Sequence, residues 1–158
     1  MSLKNIKATL IFEKVLSSDG GHFKINNVSF AIYKYKRDRI HITGLKSEIM
    51  LKYYRYILEY KYKQQVIEVR IDNMFYSKKD RRNIDLYKLY YYMWKSDMYF
   101  VNYNPELFCG MILEPYDKKK STIILFTTGS YTFLGAKSMD DIYTSNNFVN
   151  GLINMFLK

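Results

Sequence analysis

Two short stretches of this chain are near-copies of one another. Thr43-Gly44-Leu45-Lys46-Ser47 and Leu134-Gly135-Ala136-Lys137-Ser138 stand 91 residues apart, and each follows a strand–turn–strand pattern and precedes a helical one. The same spacing pairs Tyr35 with Phe126. Nearer the start of each copy, Lys4-Asn5-Ile6 resembles Asp72-Asn73-Met74 at a spacing of 68. The two spacings differ by 23 residues, which the first copy must lack. That is about the size of a helix with its flanking loops. Two such units are too few for a solenoid, so the repetition points to one pseudo-symmetric domain. Residues 1–65 form its first, abridged repeat and 66–158 its second. No Pro-rich linker or low-complexity tract separates them.

The local patterns fill in the units. Segments 5–13 and 22–44 read as strands, with Val28-Ser29-Phe30-Ala31-Ile32-Tyr33-Lys34-Tyr35-Lys36 rich in β-branched and aromatic residues. Asn26-Asn27 suits a tight hairpin turn, because Asn tolerates positive φ. Arg37-Asp38 is expected to make a second turn before Ile40-His41-Ile42-Thr43. A helix over 47–62 follows, capped by Ser47 with Glu48 in its first turn, and with Ile49, Tyr53, Ile57 and Tyr60 on one face. In the second repeat, strands are expected over 66–75, 108–113, 121–127 and 131–135. A helix is expected over 85–94, with Leu86, Leu89, Tyr90 and Met93 facing inward. Ser138 opens a last helix with Asp141 as its capping-box partner and Ile142, Val149, Leu152 and Phe156 as its apolar stripe.

Composition narrows the function. The 158 residues carry 25 Lys+Arg against 15 Asp+Glu, a formal charge of +10, with 18% aromatic residues and only 2 Pro. Disorder needs fewer aromatics, and no apolar run approaches the ~18 residues of a membrane span. Cys109 is the single cysteine, so a disulfide scaffold is excluded and a reducing compartment fits. An anionic partner is favoured, nucleic acid first and acidic protein second. The charge is uneven: residues 1–65 hold 13 basic and 5 acidic side chains, and residues 66–158 hold 12 and 10. Catalysis finds no support. His22 and His41 lack a Cys or carboxylate at metal-ligand spacing, there is no Gly-rich phosphate loop or nucleophile elbow, and Asp140-Asp141 sits where helix N-termini want carboxylates. No catalytic residue, metal or cofactor is expected.

Four motifs in order then carry a family resemblance. Asn5-Ile6-Lys7-Ala8-Thr9 is similar to the "NIVATV" that opens the first repeat of TATA-binding proteins, and Arg70-Ile71-Asp72-Asn73-Met74 to the "KIQNxV" that opens their second. Asn104-Pro105-Glu106-Leu107-Phe108-Cys109-Gly110-Met111-Ile112 resembles "PELFPGLI". Ile124-Leu125-Phe126-Thr127-Thr128-Gly129 followed by Gly135-Ala136-Lys137 resembles "LIFxSG…TGAK". The second half is covered almost completely. The first matches at 5–10 and 31–60, with no room for the helix between its first two strands.

The resemblance implies an α+β saddle: a curved antiparallel sheet from two repeats, helices on the convex face and the concave face on a widened DNA minor groove. It implies a transcription initiation factor that bends A·T-rich promoter DNA and recruits TFIIB-like and other initiation factors and the RNA polymerase machinery, with no membrane partner. Position by position, Phe108 and Phe126 match the intercalating pair of the second repeat, while Tyr35 and Phe23 stand for those of the first. Asn5 and Asn73 match the paired groove asparagines; Phe75, Thr43, Ile124 and Leu134 match other groove-facing positions. Lys46, Lys137, Arg39 and Lys7 are assigned to phosphates, and Glu106 and Leu107 to the TFIIB-type factor. An amide suits the acceptors of the minor-groove floor, and phosphate contacts position without reading sequence.

Several positions depart from the family pattern. Lys7 and His41 replace groove-facing valines, Tyr33 a leucine, Ser130 a turn lysine, and Leu134 a threonine; Glu114 stands where a basic residue is usual. These predict relaxed or altered sequence preference, or binding that needs partners. They also keep a second reading open, in which the same fold serves as a protein-interaction module of a transcription assembly with little or no DNA wedging. A third is an RNA- or single-strand-binding sheet. From the residues alone, Phe108 and Phe126 suit a sheet core as well as a wedge, Asn5 and Asn73 suit strand ends, and the basic runs at 78–82 and 118–120 suit solvated loops. Expected residence is the nucleus, or a cytoplasmic viral factory if the divergence and the missing N-terminal extension reflect a viral source.

Overall fold

The computed structural model describes the backbone of residues 2–158 and side chains from Asn5 onward. The chain divides into two compact units, one of Leu3–Met74 and one built on Phe75–Lys158, so the boundary falls inside a strand.

In the first unit the chain order is β1 (Ser2–Phe12), β2 (Gly21–Ile25), β3 (Val28–Tyr33), β4 (Lys36–Leu45), α1 (Glu48–Tyr62) and the start of β5 (Val66–Lys78). The sheet order is β2-β3-β4-β1-β5. Asn26 and Asn27 take φ of 49° and 68°, the double left-handed turn that matches hairpin twist. The next reversal is at Lys34-Tyr35, because Tyr33 pairs with Lys36; Arg37-Asp38, expected as the turn, lies within β4. Arg37 is held there by its carbonyl, which accepts from Leu16 N at 2.7 Å.

Alternation gives the sheet two unlike faces. Ile6, Ala8, Leu10 and Phe12 of β1, Phe30 and Ile32 of β3, and Ile40 and Ile42 of β4 are all buried. Helix α1 covers this side, with the Tyr54 ring 5.4 Å from Phe30. Ser47 caps the helix by accepting from Met50 N, and Lys63 closes it in a left-handed conformation. The buried stripe is Leu51, Tyr54 and Leu58. The expected stripe is therefore turned outward: Ile49, Tyr53 and Tyr60 are exposed. Both sets have helical spacing. Leu51 and Leu58 bury no polar group, and the one tyrosine of the buried stripe, Tyr54, donates its hydroxyl to Ile25 O at 3.4 Å, whereas Tyr53 and Tyr60 keep theirs in water.

The second unit runs from β5 through α2 (Leu86–Met93), β6 (Tyr99–Asn102), β7 (Met111–Pro115), β8 (Thr122–Leu125), β9 (Tyr131–Ala136) and α3 (Met139–Met155). Its strands are ordered β5-β9-β8-β7-β6. Asp85 caps α2 by accepting from Lys88 N, and Leu86, Leu89 and Met93 are buried as expected. Ser138 caps α3 by accepting from Asp141 N, while the Asp141 carboxylate accepts from Ser145 at 3.4 Å. Strand β6 was not anticipated. The first unit passes from β1 to β2 through residues 13–20 alone, so what it lacks is a helix and a strand together.

Candidate nucleic-acid interface

Each unit has a sheet face that no helix of that unit covers. In the second unit α3 lies on the side of Tyr99, whose ring stacks 5.2 Å from Phe148, and of Tyr131, bonded to Asn146. Register then puts Asn102, Ile112, Ile124 and Thr132 in one row of the opposite face, and Phe100, Glu114, Thr122 and Leu134 in the next. The residues of these rows are half-buried or exposed, whereas Met111, Leu113, Ile123, Leu125 and Phe133 are sealed.

Phe108 and Phe126 stand together beside the first row. Their centroids are 6.0 Å apart with planes at 69°, an edge-to-face pair, and Phe108 is 44% exposed. Both lie outside the strands expected to carry them. Phe108 N bonds to Asn104 O in the turn that presents Glu106 and Leu107, and Phe126 opens the β8–β9 turn, its N bonded to Ser130 O at 2.9 Å. That turn needs Gly129, at φ +83°, where a Cβ would lie 2.4 Å from Arg82 O. The aromatic pair is spaced by Gly110. A Cβ there would lie 2.7 Å from Phe108 Cε1, 2.9 Å from Ile124 Cγ2 and 3.0 Å from Phe126 Cε1. Gly110 was quoted only as part of a motif, and its role appears once the rings are seen to close over it.

In the first unit, Phe23 departs from its expected place. It pairs with Phe30 and stacks on it at 5.0 Å, with Lys61 of α1 4.4 Å above the ring, so it belongs to the helix side. The cause is the shortened connection. Counted within the strands, Phe23 takes the place that buried Leu113 holds in β7, and no loop like 104–110 precedes β2. Tyr35, 93% exposed, sits at the β3–β4 turn with no ring partner among the described residues. Asn5 accepts the Gly44 N–H on Oδ1 at 2.7 Å, which fixes its amide and leaves its NH2 group as donor. Asn73, Phe75 and Thr43 are half-buried. Lys7, Thr43 and Ser29 share one row of the helix-free face, continued by Lys24. Lys46 and Lys137 are exposed, and Arg39 is paired with Asp38 at 3.0 Å, which holds that carboxyl below its usual range.

The next row is Thr9, His41 and Ala31, with His22 beyond. Thr9 Oγ1 donates to Asp72 Oδ2 at 2.5 Å and lies 3.0 Å from His41 Nδ1; the Tyr33 ring packs 4.8 Å from His41. Burial pushes the His41 pKa down, more than the Asp72 charge raises it. Asp72 and Thr9 were not among the expected site residues. The motif letters that contain them carry no sign of a bond between residues 63 apart.

Residues 68–155 match the family described as transcription factor TFIID, or TATA-binding protein, TBP. The chain belongs to the TATA-binding protein family. It is 34% identical over 92 residues to the TATA-box-binding protein of Thermococcus sibiricus, a match that spans 58% of this chain and 45% of that protein. Its fold is similar to that of Methanococcus jannaschii TBP, with a TM-score of 0.72 over 98% of both chains at 17% identity. The α+β TBP-like architecture that the resemblance implied is thus the observed one. The matched family is described as a transcription factor family, and the solved structure bears on the fold alone.

Proposed function

We propose that this TBP-family protein binds double-stranded promoter DNA through the minor groove and bends it by inserting Phe108 and Phe126 at a base step. The reading is carried by the aromatic pair held over Gly110, partly exposed on a face without helices. Two flat rings can replace part of the stacking lost when a step is opened, which costs a few kcal/mol, and the bend then brings more protein onto the duplex. Ile124, Leu134 and Phe75 supply apolar contacts to the groove, Asn5, Asn73 and Thr43 polar ones. Lys7, Lys46, Lys137 and Arg39 neutralise phosphates. Tyr35 offers a single ring at the other repeat, and Phe23 has no part in the interface. Glu106 and Leu107, exposed in the turn that carries Phe108, suit contact with a TFIIB-like factor. Residues 1–65 and 66–158 act as the two repeats of one DNA-binding domain, in the nucleus or a viral factory.

Affinity and bend angle on an A·T-rich duplex test this, with a Phe108→Ala/Phe126→Ala variant alongside. The variant is expected to lose the bend and about tenfold or more in affinity. Unchanged affinity with no bend in either protein refutes the reading. The interaction-module alternative is favoured by the exposed Tyr53, Tyr56 and Tyr60 of α1 and by Asp72, an anionic group beside the helix-free face.

A further inference from the structure

The row Thr9–His41 holds a chemistry that an A·T-reading surface does not need. Thr9 has one hydroxyl proton, and it is given to Asp72. The 3.0 Å contact between Thr9 Oγ1 and His41 Nδ1 must then run the other way, with Nδ1–H donating to the hydroxyl oxygen. A three-member relay results, from imidazole to hydroxyl to carboxylate, and it fixes the neutral tautomer of His41. Nε2 is left as an acceptor.

A·T and T·A pairs present only acceptors to the minor groove, adenine N3 and thymine O2. The one donor available there is the 2-amino group of guanine. A neutral imidazole showing Nε2 is mismatched to the first and matched to the second. We propose that His41, held in its Nδ1–H tautomer by Thr9 and Asp72, is a specificity-determining residue that favours a guanine 2-amino group at one base pair of the bound site. This rests on the minor-groove reading above and makes it more specific, since the chain would then select one G·C pair within an otherwise A·T-rich sequence.

The surroundings keep His41 neutral. Burial lowers its pKa, Asp72 opposes this, and Arg39 and Lys36 of β4 and Arg70 of β5 reinforce it. Thr9 faces it from β1 and Tyr33 from β3, with His22 of β2 beyond the Tyr33 ring, 6.5 Å from it. Acid reverses the chemistry: a doubly protonated imidazole is a donor at both nitrogens and suits adenine N3 or thymine O2.

The test scans an A·T-rich duplex one pair at a time with G·C, inosine·C and 2,6-diaminopurine·T. Inosine removes the 2-amino group from a G·C-type pair, and diaminopurine adds it to an A·T-type pair. At one position, the two pairs with the amino group are expected to bind roughly three- to tenfold tighter than the two without it. His41→Val removes that difference. His41→Gln, with donor and acceptor on one amide, also equalises the pairs and serves if the valine variant does not fold. Asp72→Asn weakens the preference by releasing the tautomer, and lowering the pH through the His41 titration shrinks it in the wild type alone. Duplex binding indifferent to the amino group at every position overturns this inference and leaves the DNA-binding reading standing; so does a preference that survives in both His41 variants. Failure to bind any duplex overturns both.

Discussion

Gly110→Ala separates a wedge from a piece of core. The added Cβ would lie 2.7 Å from Phe108 Cε1 and 2.9 Å from Ile124 Cγ2, closer than real Cβ atoms approach a neighbour, and 3.0 Å from Phe126 Cε1, a tight contact in which the ring must give. Gly110 does not take a positive φ, so alanine brings no backbone strain and the whole effect is on these three side chains. All three are at least partly exposed, so the rings can swing outward instead of straining a sealed interior. Overpacking of a closed core costs ~1–3 kcal/mol, and here the lower end, about 1 kcal/mol, is expected. For a chain of this size that lowers Tm by roughly 2–4 °C. DNA binding should suffer more, because two rings pushed apart no longer fit one base step. Stacking is worth ~1–3 kcal/mol per base, so loss of the pair predicts about a tenfold or larger drop in affinity. Calorimetric melting and bend measurement by energy transfer between dyes at the duplex ends give both numbers on one preparation. A Gly110→Ala protein that bends DNA like the wild type refutes the argument that the Phe108–Phe126 geometry is what engages the step. A Tm loss above ~10 °C refutes the argument that these rings are free to move.

Two stability measurements probe the rest of the chain. Leu58→Ala should cost ~2–5 kcal/mol and Tyr53→Ala within about 0.5 kcal/mol, since Leu58 is fully buried and Tyr53 is on the outer stripe of α1; equal effects in urea unfolding would show that the helix is seated the other way round. Asp80, bonded to Arg82, has its pKa lowered from 3.8 to about 2. A carboxylate more acidic in the folded state stabilises fully above its unfolded pKa, and that contribution disappears as pH falls from near 3.8 towards 2. The urea midpoint should therefore fall less steeply over that interval in Asp80→Asn than in the wild type, and parallel curves would count against the pairing.

The parts of the fold that local physics decides were legible in the sequence. Ser47 and Ser138 announce their helices because an N-cap side chain must accept a specific backbone N–H, and Asn26-Asn27 announce a hairpin because few residues accept positive φ twice. What depends on partners distant in sequence was not. Helix α1 has two stripes of helical spacing, and only the sheet beneath decides that Leu51, Tyr54 and Leu58 go in. Strand β6, Tyr99–Asn102, is defined by its pairing with β7, which one sequence does not reveal. Phe108 and Phe126 stood in family motifs, and the structure brings their rings together; Phe23 stood in no motif and was assigned by its chemistry alone. Its true partners, Phe30 and Lys61, follow from a strand register that one sequence does not reveal.

The same deletion that shortens the first unit accounts for the contrast between the two helix-free faces. In the second unit, the stretch between β6 and β7 supplies the turn that lifts Phe108 beside Phe126 and the glycine that spaces them. In the first unit, the segment between β1 and β2 has neither helix nor extra strand, so the strand that should follow a wedge follows a short link instead, and its phenylalanine lies half-buried on the helix side, against Phe30 and Lys61. A ring at Tyr35 without an opposing ring covers half of a base-pair step at best. That face carries another inventory: Lys7 and Lys24 in one row, and in the next a histidine whose proton position is set by Thr9 and Asp72. Cations of this kind hold phosphates without opening a step, and a fixed imidazole reads a base edge without unstacking it. The excess of 13 basic over 5 acidic side chains in residues 1–65 thus sits on the unit that has lost its aromatic pair, while the nearly balanced 66–158 keeps it. The proposed DNA contact would then differ between the units, by charge and hydrogen bond from the first and by ring insertion from the second.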